Sequence, residues 1–143
     1  MMIGEDEFRK LVTVALANVV GTRKSKAATR VALERAKFCE LLAPLFNESP
    51  GTLYLLGMLS LIDVILGMPM PQILGMLPLD SRMKAALLGE QGPLTLALDL
   101  VRAREAGGWL QATSIQESIG LAGSTASRFY LEAIQWADRI NMI

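Results

Sequence analysis

Apolar residues recur along this chain at the three- and four-residue spacing of an α-helix, and almost nowhere with the alternation of a strand. Glu5, Asp6 and Glu7 stand where a helix N-terminus favours acids, and Phe8, Leu11, Val12, Ala15, Leu16 and Val19 follow at helical spacing up to Gly21. A long second helix is predicted from about Ser25 to Phe46, with Ala28, Val31, Phe38, Leu42 and Leu45 on one stripe and Arg30, Glu34 and Lys37 off it. Ser49-Pro50 supplies an N-cap and a first-turn proline for a third helix, which the pattern carries to about Met68. That helix is apolar nearly all round, as a central element is.

Pro69 and Pro71 end it and open a short helix reaching Met76, and Pro78-Leu79-Asp80-Ser81 caps another that runs to Leu88. A helix from Pro93 to Ala106 turns Leu94, Leu98, Val101 and Leu100 inward, with Asp99, Arg102, Arg104 and Glu105 mostly outward. Two more follow, Trp109 to Ser118 and Ser124 to about Ile140, joined by Gly120-Leu121-Ala122-Gly123. The Gly-Met pairs at 57, 67 and 75 are unequally spaced and make no repeat. The expectation is an all-α multi-helix bundle of about seven to eight helices, with residues 1–143 forming one domain.

Composition narrows the chemistry. Hydrophobic residues make up 52% of the 143 and charged residues 20%, and 14 basic residues balance 14 acidic ones, so no net field draws the chain to nucleic acid or anionic lipid. Leu53 to Met68 is the most membrane-like stretch, but its 16 residues, broken by Ser60 and Asp63, fall short of the ~20 that span a bilayer. Gly4-Glu5-Asp6-Glu7 brings acid where a signal peptide needs base. The lone cysteine, Cys39, excludes an internal disulfide and fits a reducing cytoplasm.

There is no histidine. That removes the commonest general base, the commonest metal ligand and every Ser-His or Cys-His nucleophile pair. With one cysteine it also removes structural zinc sites. Carboxylates and lysines remain as possible catalytic groups.

Several segments resemble a known family in order along the chain. Arg35-Ala36-Lys37-Phe38-Cys39-Glu40-Leu41-Leu42, Tyr54 to Asp63, Leu66-Gly67-Met68-Pro69, Leu77-Pro78-Leu79 and Ala85-Ala86-Leu87-Leu88-Gly89 are similar to successive parts of HDOD domains, the HD-related output domains of bacterial signalling proteins. Tyr130 to Ala137 resembles the end of that domain in the branch that joins it to an EAL domain of the cyclic-di-GMP phosphodiesterase type. Ile3-Gly4-Glu5-Asp6 resembles a point partway through the domain, which implies a C-terminal part of a larger HDOD-containing protein with an EAL domain upstream. The HD superfamily carries a His-Asp metal dyad. Aligned on Gly57, the resemblance places Ser60 and Leu61 at the dyad, and neither a leucine nor a lone serine suits such a metal. Asp63 falls two residues further, about 200° round a continuous helix.

Other features have a functional and an ordinary reading. Asp63 is either a buried switch or a carboxylate that meets an arginine or faces water, and the cost of burying an unpaired charge favours the second. Arg23, Lys24, Lys26, Arg30, Arg35 and Lys37, with Glu34 alone against them, form either an acidic-partner or phosphate site or a solvated helix face. No glycine-rich loop or interleaved aromatics accompany them, which favours the face. Ile115 to Ala137 has the outline of a helix-turn-helix, but two Arg against three Asp and Glu from Trp109 onward give a local charge of −1, poor for phosphate contacts. Met58, Met68, Met70, Met76 and Met83 read as core filling, as does Cys39.

The reading that results is a non-catalytic signalling module that works by contact with a protein partner or an upstream EAL domain. It uses no cofactor, metal, nucleic acid or membrane, and has no catalytic or ligand-binding residue to name. A homodimer is expected, with Phe8 to Val19 and the Ala28 to Leu42 stripe in the contact, since a chain this apolar needs its exposed faces covered. The alternatives are a degenerate metal-dependent phosphohydrolase and a helix-turn-helix DNA-binding regulator.

Overall fold

The computed structural model describes the backbone of residues 23–141 and the side chains of residues 26–140. Eight α-helices and one 3-10 turn make up this part: α1 Arg23–Leu42, the turn Ala43–Phe46, α2 Pro50–Leu59, α3 Ile62–Leu66, α4 Met70–Leu74, α5 Ser81–Leu87, α6 Thr95–Glu105, α7 Trp109–Ser118 and α8 Gly123–Asn141. The all-α bundle expected from the periodicity is what the described residues form. The expected helix from Phe8 to Val19 lies outside the described residues.

The hub is α1. It packs along α2 on one side and along α8 on another, and also touches α3 and α6. Its buried residues Ala32, Leu33, Ala36, Phe38, Cys39 and Leu42 explain the contact, since they cover more than one face of the cylinder. Pro44, which has no N–H, ends the α-helical ladder at Leu42, and the chain tightens into the 3-10 turn. Asn47 then takes the left-handed conformation at φ 54°, which asparagine tolerates. Leu45, placed on the buried stripe by periodicity, is exposed because the turn leaves the α-helical register.

In α2 every residue from Gly51 to Leu59 is buried. Ser49 caps it as the sequence predicts, accepting from Thr52 N at 3.3 Å. Gly57 faces α1 so closely that a Cβ built there would lie 2.4 Å from Arg35 O and 2.6 Å from Ala36 N. These are main-chain atoms and cannot turn aside, so only glycine permits the two axes to approach this far.

The single helix expected from Pro50 to about Met68 is two helices. Ser60 Oγ donates to Gly57 O at 2.7 Å, and Ser60 N reaches the same carbonyl at 3.3 Å. A serine hydroxyl that takes up a backbone acceptor competes with the helical ladder. Leu61 leaves helical geometry at φ −123°, and α3 starts afresh at Ile62. α3 ends on Gly67 at φ 66°. Asp80 caps α5 by accepting from Met83 N at 3.0 Å.

α8 closes the bundle with aromatic contacts. Tyr130 meets Phe38 edge-on at 5.8 Å between ring centroids, and Trp136 meets Tyr54 in the same way at 5.8 Å. Small residues Ala126, Ala133 and Ala137 line its buried side. Of the methionines expected to fill the core, Met58 and Met83 are buried, Met68 and Met70 half-buried, and Met76 is exposed.

Two substitutions test this packing. Leu59→Ala should cost about 2–5 kcal/mol by leaving a cavity beside α1. Gly57→Ala should destabilise by about 1–3 kcal/mol or more, because two helices must separate to admit one methyl group. Chemical denaturation measures both, with Gln135→Ala on the exposed face as a control expected within about 0.5 kcal/mol of the native chain.

Candidate functional site

Polar chemistry gathers where α1, the end of α2 and the end of α6 meet. Arg35 is buried at 9% exposure, on the α1 face that α2 covers. Its Nε and Nη2 donate to Glu105 at 2.9 and 2.7 Å, a two-pronged pairing between guanidinium and carboxylate. Its Nη1 donates to Ser60 Oγ at 3.1 Å. The hydroxyl proton of Ser60 is in turn directed at Gly57 O. Three helices are therefore linked through one guanidinium.

This corrects two expectations. Glu105 was expected to point outward, yet its carboxylate turns onto α1. The basic stretch is expected to be a solvated face, yet three of its described members, Arg30, Arg35 and Lys37, pair with acids. Arg30 pairs with Glu34 at 3.4 Å and with Asp138 of α8, Arg35 with Glu105, and Lys37 with Glu40 at 2.9 Å. Lys26 is exposed, and the side chains of Arg23 and Lys24 lie outside the described residues. Burial raises the Glu34 carboxyl above its ordinary value, and the neighbouring Arg30 only partly offsets this.

The two positions that the resemblance aligns with a metal dyad have separate fates. Ser60 is buried inside the Arg35 cluster, and Leu61 is half-buried at the break between α2 and α3. Ser60 has no base to accept its proton: it faces a carbonyl on one side and a cation on the other. Asp63 sits half-buried in the first turn of α3 and pairs with no arginine among the described residues. The break at Leu61 also replaces the continuous helix from which its orientation was argued. Among the described residues no three His, Cys, Asp or Glu side chains come together as metal ligands.

A second cluster sits between α6, α7 and α8, and periodicity did not single it out. Arg104 lies over the rings of Trp109 at 5.3 Å and Tyr130 at 5.8 Å. It donates to Gln116 Oε1 at 2.8 Å and to Ser127 Oγ at 3.0 Å. Its Nε is buried with no hydrogen-bond partner, and no acid pairs with it among the described residues. Burial lowers the pKa of this guanidinium. Burial raises the Tyr130 phenol, and the carboxylates of Glu105 and Glu34 push it the same way. Trp109 is 59% exposed and Leu110 91% exposed, at the start of α7.

The segment that has the outline of a helix-turn-helix forms α7 and α8. Cys39 lies wholly inside the core, where burial pushes its thiol from 9.0 up to about 12. It is a core residue, as expected.

The chain is 30% identical over 143 residues to the cyclic di-GMP phosphodiesterase CdgJ of Vibrio cholerae, a match that takes in 99% of this chain and 33% of that protein. It is also 30% identical over 144 residues to the uncharacterized protein YuxH of Bacillus subtilis, covering 98% of this chain and 35% of the relative. The chain thus spans about a third of the length of the curated relatives it matches. No protein-family model matches it, and no solved structure does.

The buried pair yields one expectation. Glu105→Leu or Arg35→Met alone should cost about 3–5 kcal/mol, because each strands the other polar group in the interior. The double change Arg35→Met with Glu105→Leu should cost clearly less than the sum, as a double-mutant cycle in urea would show. Cys39 yields another. Its folded pKa lies above the unfolded value, so its contribution is complete below pH 9.0 and is lost as pH rises toward about 12. The fall in stability over that range should be shallower in Cys39→Ala, measured by denaturation at stepped pH.

Proposed function

We propose that this chain is a non-catalytic signal-transduction module of HDOD type, which works by protein contact in cyclic-di-GMP signalling. The observation that carries this reading is the extent of the match to CdgJ: nearly all of this chain aligns with a third of a phosphodiesterase. A unit that aligns with so limited a part of such an enzyme fits a role beside the catalytic portion. The intended partner is an EAL-type phosphodiesterase domain, on the same polypeptide or another. The module presents rigid helical faces to it and relays state by contact.

The side chains support the same reading. No histidine exists in the sequence to act as base or ligand. Ser60, aligned with the metal dyad, spends both its hydrogen-bonding capacities inside the Arg35 cluster. No described helix is long and apolar enough to cross a membrane, which accords with a cytoplasmic site of action.

The purified chain, incubated with cyclic di-GMP and Mg²⁺ or Mn²⁺, should give no linear dinucleotide above the buffer rate, and elemental analysis after gel filtration should find far less than one metal per chain. Turnover abolished by Ser60→Ala or Asp63→Asn, with about one equivalent of Fe, Mn or Zn retained, would establish the phosphohydrolase alternative instead. Duplex DNA binding that weakens steeply with salt would establish the regulator.

A further inference from the structure

The exposed face of α8 carries a pattern that the contacts among the described residues leave unused. Arg128, Leu131, Glu132 and Gln135 fall at helical spacing and are all exposed, with Leu131 at 56%. Arg128 and Glu132 bracket the leucine with opposite charges. Neither has an ion-pair partner among the described residues, and Arg128 rests only over the Phe129 ring at 5.9 Å. An arginine four residues before a glutamate is the weaker order for pairing along one helix. Beside this strip, Arg104 ties Trp109 to Ser127, so the exposed indole and Leu110 extend the apolar area from α7.

We infer that this α7–α8 face binds a second copy of the chain, with the two α8 helices crossing antiparallel about a two-fold axis near residue 130. A two-fold contact requires one patch to complement itself. Here an apolar centre lies between one cation and one anion. Antiparallel crossing sets Arg128 of each copy against Glu132 of the other and brings the two Leu131 side chains together at the axis. Trp109, Leu110 and Arg104 then form the flank, and tryptophan and arginine are residue types that often dominate binding energy. A contact of ordinary size takes about 800 Å² from each copy, about a tenth of the 7848 Å² surface.

The exposed apolar residues Val64, Leu66 and Met76 lack such a code. From Val64 to Leu79 no residue is charged, so nothing there sets an orientation or selects a partner. The contact expected through Phe8 to Val19 lies outside the described residues, and of the Ala28 to Leu42 stripe expected beside it, Phe38 and Leu42 are buried in the core. This assignment does not depend on the phosphodiesterase partner proposed above, and the hydrolysis assay leaves it untouched.

Sedimentation equilibrium at high micromolar concentration should give twice the 15.5 kDa of one chain. Leu131→Asp should return the mass to that of a single chain with an unchanged far-ultraviolet circular dichroism spectrum. Arg128→Glu or Glu132→Arg alone places like charges across the axis and should raise the dimer dissociation constant by about tenfold or more. The exchange Arg128→Glu with Glu132→Arg should restore it. A single-chain mass for the native protein overturns the inference and leaves the face to another occupant. A dimer indifferent to Leu131→Asp and to both reversals keeps self-association but overturns this surface.

Discussion

The packing of Gly57 against the main chain of Arg35 and Ala36 sets the geometry of this molecule. With no side chain at position 57, α2 lies close enough on α1 that a methyl group would collide with backbone atoms. Main chain does not rearrange as a side chain can, so this contact admits few alternatives. It also sets the distance at which the polar groups beyond it meet. Ser60, one turn past Gly57, is carried within reach of Arg35 Nη1. The same hydroxyl ends α2 by holding Gly57 O. One close approach therefore fixes the helix crossing, the break before α3 and the partner of a buried guanidinium.

That guanidinium is costly to bury and needs full compensation. Glu105 supplies a two-pronged carboxylate from α6, and Ser60 supplies an acceptor from the end of α2. Such a pair adds little net stability compared with apolar residues of the same shape, but it penalises any packing in which the partners are misaligned. The cluster occupies one of the positions that the resemblance equates with a metal dyad. The space is filled by a paired cation and a hydroxyl whose proton is already placed, an arrangement suited to holding helices in register.

The outer end of the molecule is organised differently. Among the described residues Arg104 has rings and neutral acceptors around it but no acid, and Trp109 beside it is mostly open to water. Next to it, α8 shows a leucine between opposite charges. The interior thus pairs its buried arginine with acid, while the α7–α8 face keeps charges and aromatic surface available for contact outside the chain.

Much of the fold was legible from residue order alone. Periodicity placed most of the helices, and local chemistry marked two of their starts, with Ser49 and Asp80 as caps; the stops at Pro44 and Gly67 fall short of the ends expected at Phe46 and Met68. These signals act between neighbours in sequence, so sequence determines them. Arg35 and Glu105, expected on solvated faces, carry a contrary signal in their positions. Arg35 falls between Val31 and Phe38 on the stripe that runs from Ala28 to Leu42, and Glu105 extends the Leu94, Leu98, Val101 series in the same way. A charge on each of two apolar stripes signals a buried ion pair. Which charge meets which was not readable, because the two lie 70 residues apart and only the packing of α6 on α1 joins them. The split of the expected third helix belongs to the same class, since Ser60 is held by Arg35 from another helix. So does the Arg104 cluster, which draws on α6, α7 and α8. The sequence by itself determined the helical periodicity, the caps at Ser49 and Asp80 and the absence of histidine chemistry. Tertiary structure decided the partners of the charges, because pairing depends on distances set by packing between segments remote in the chain.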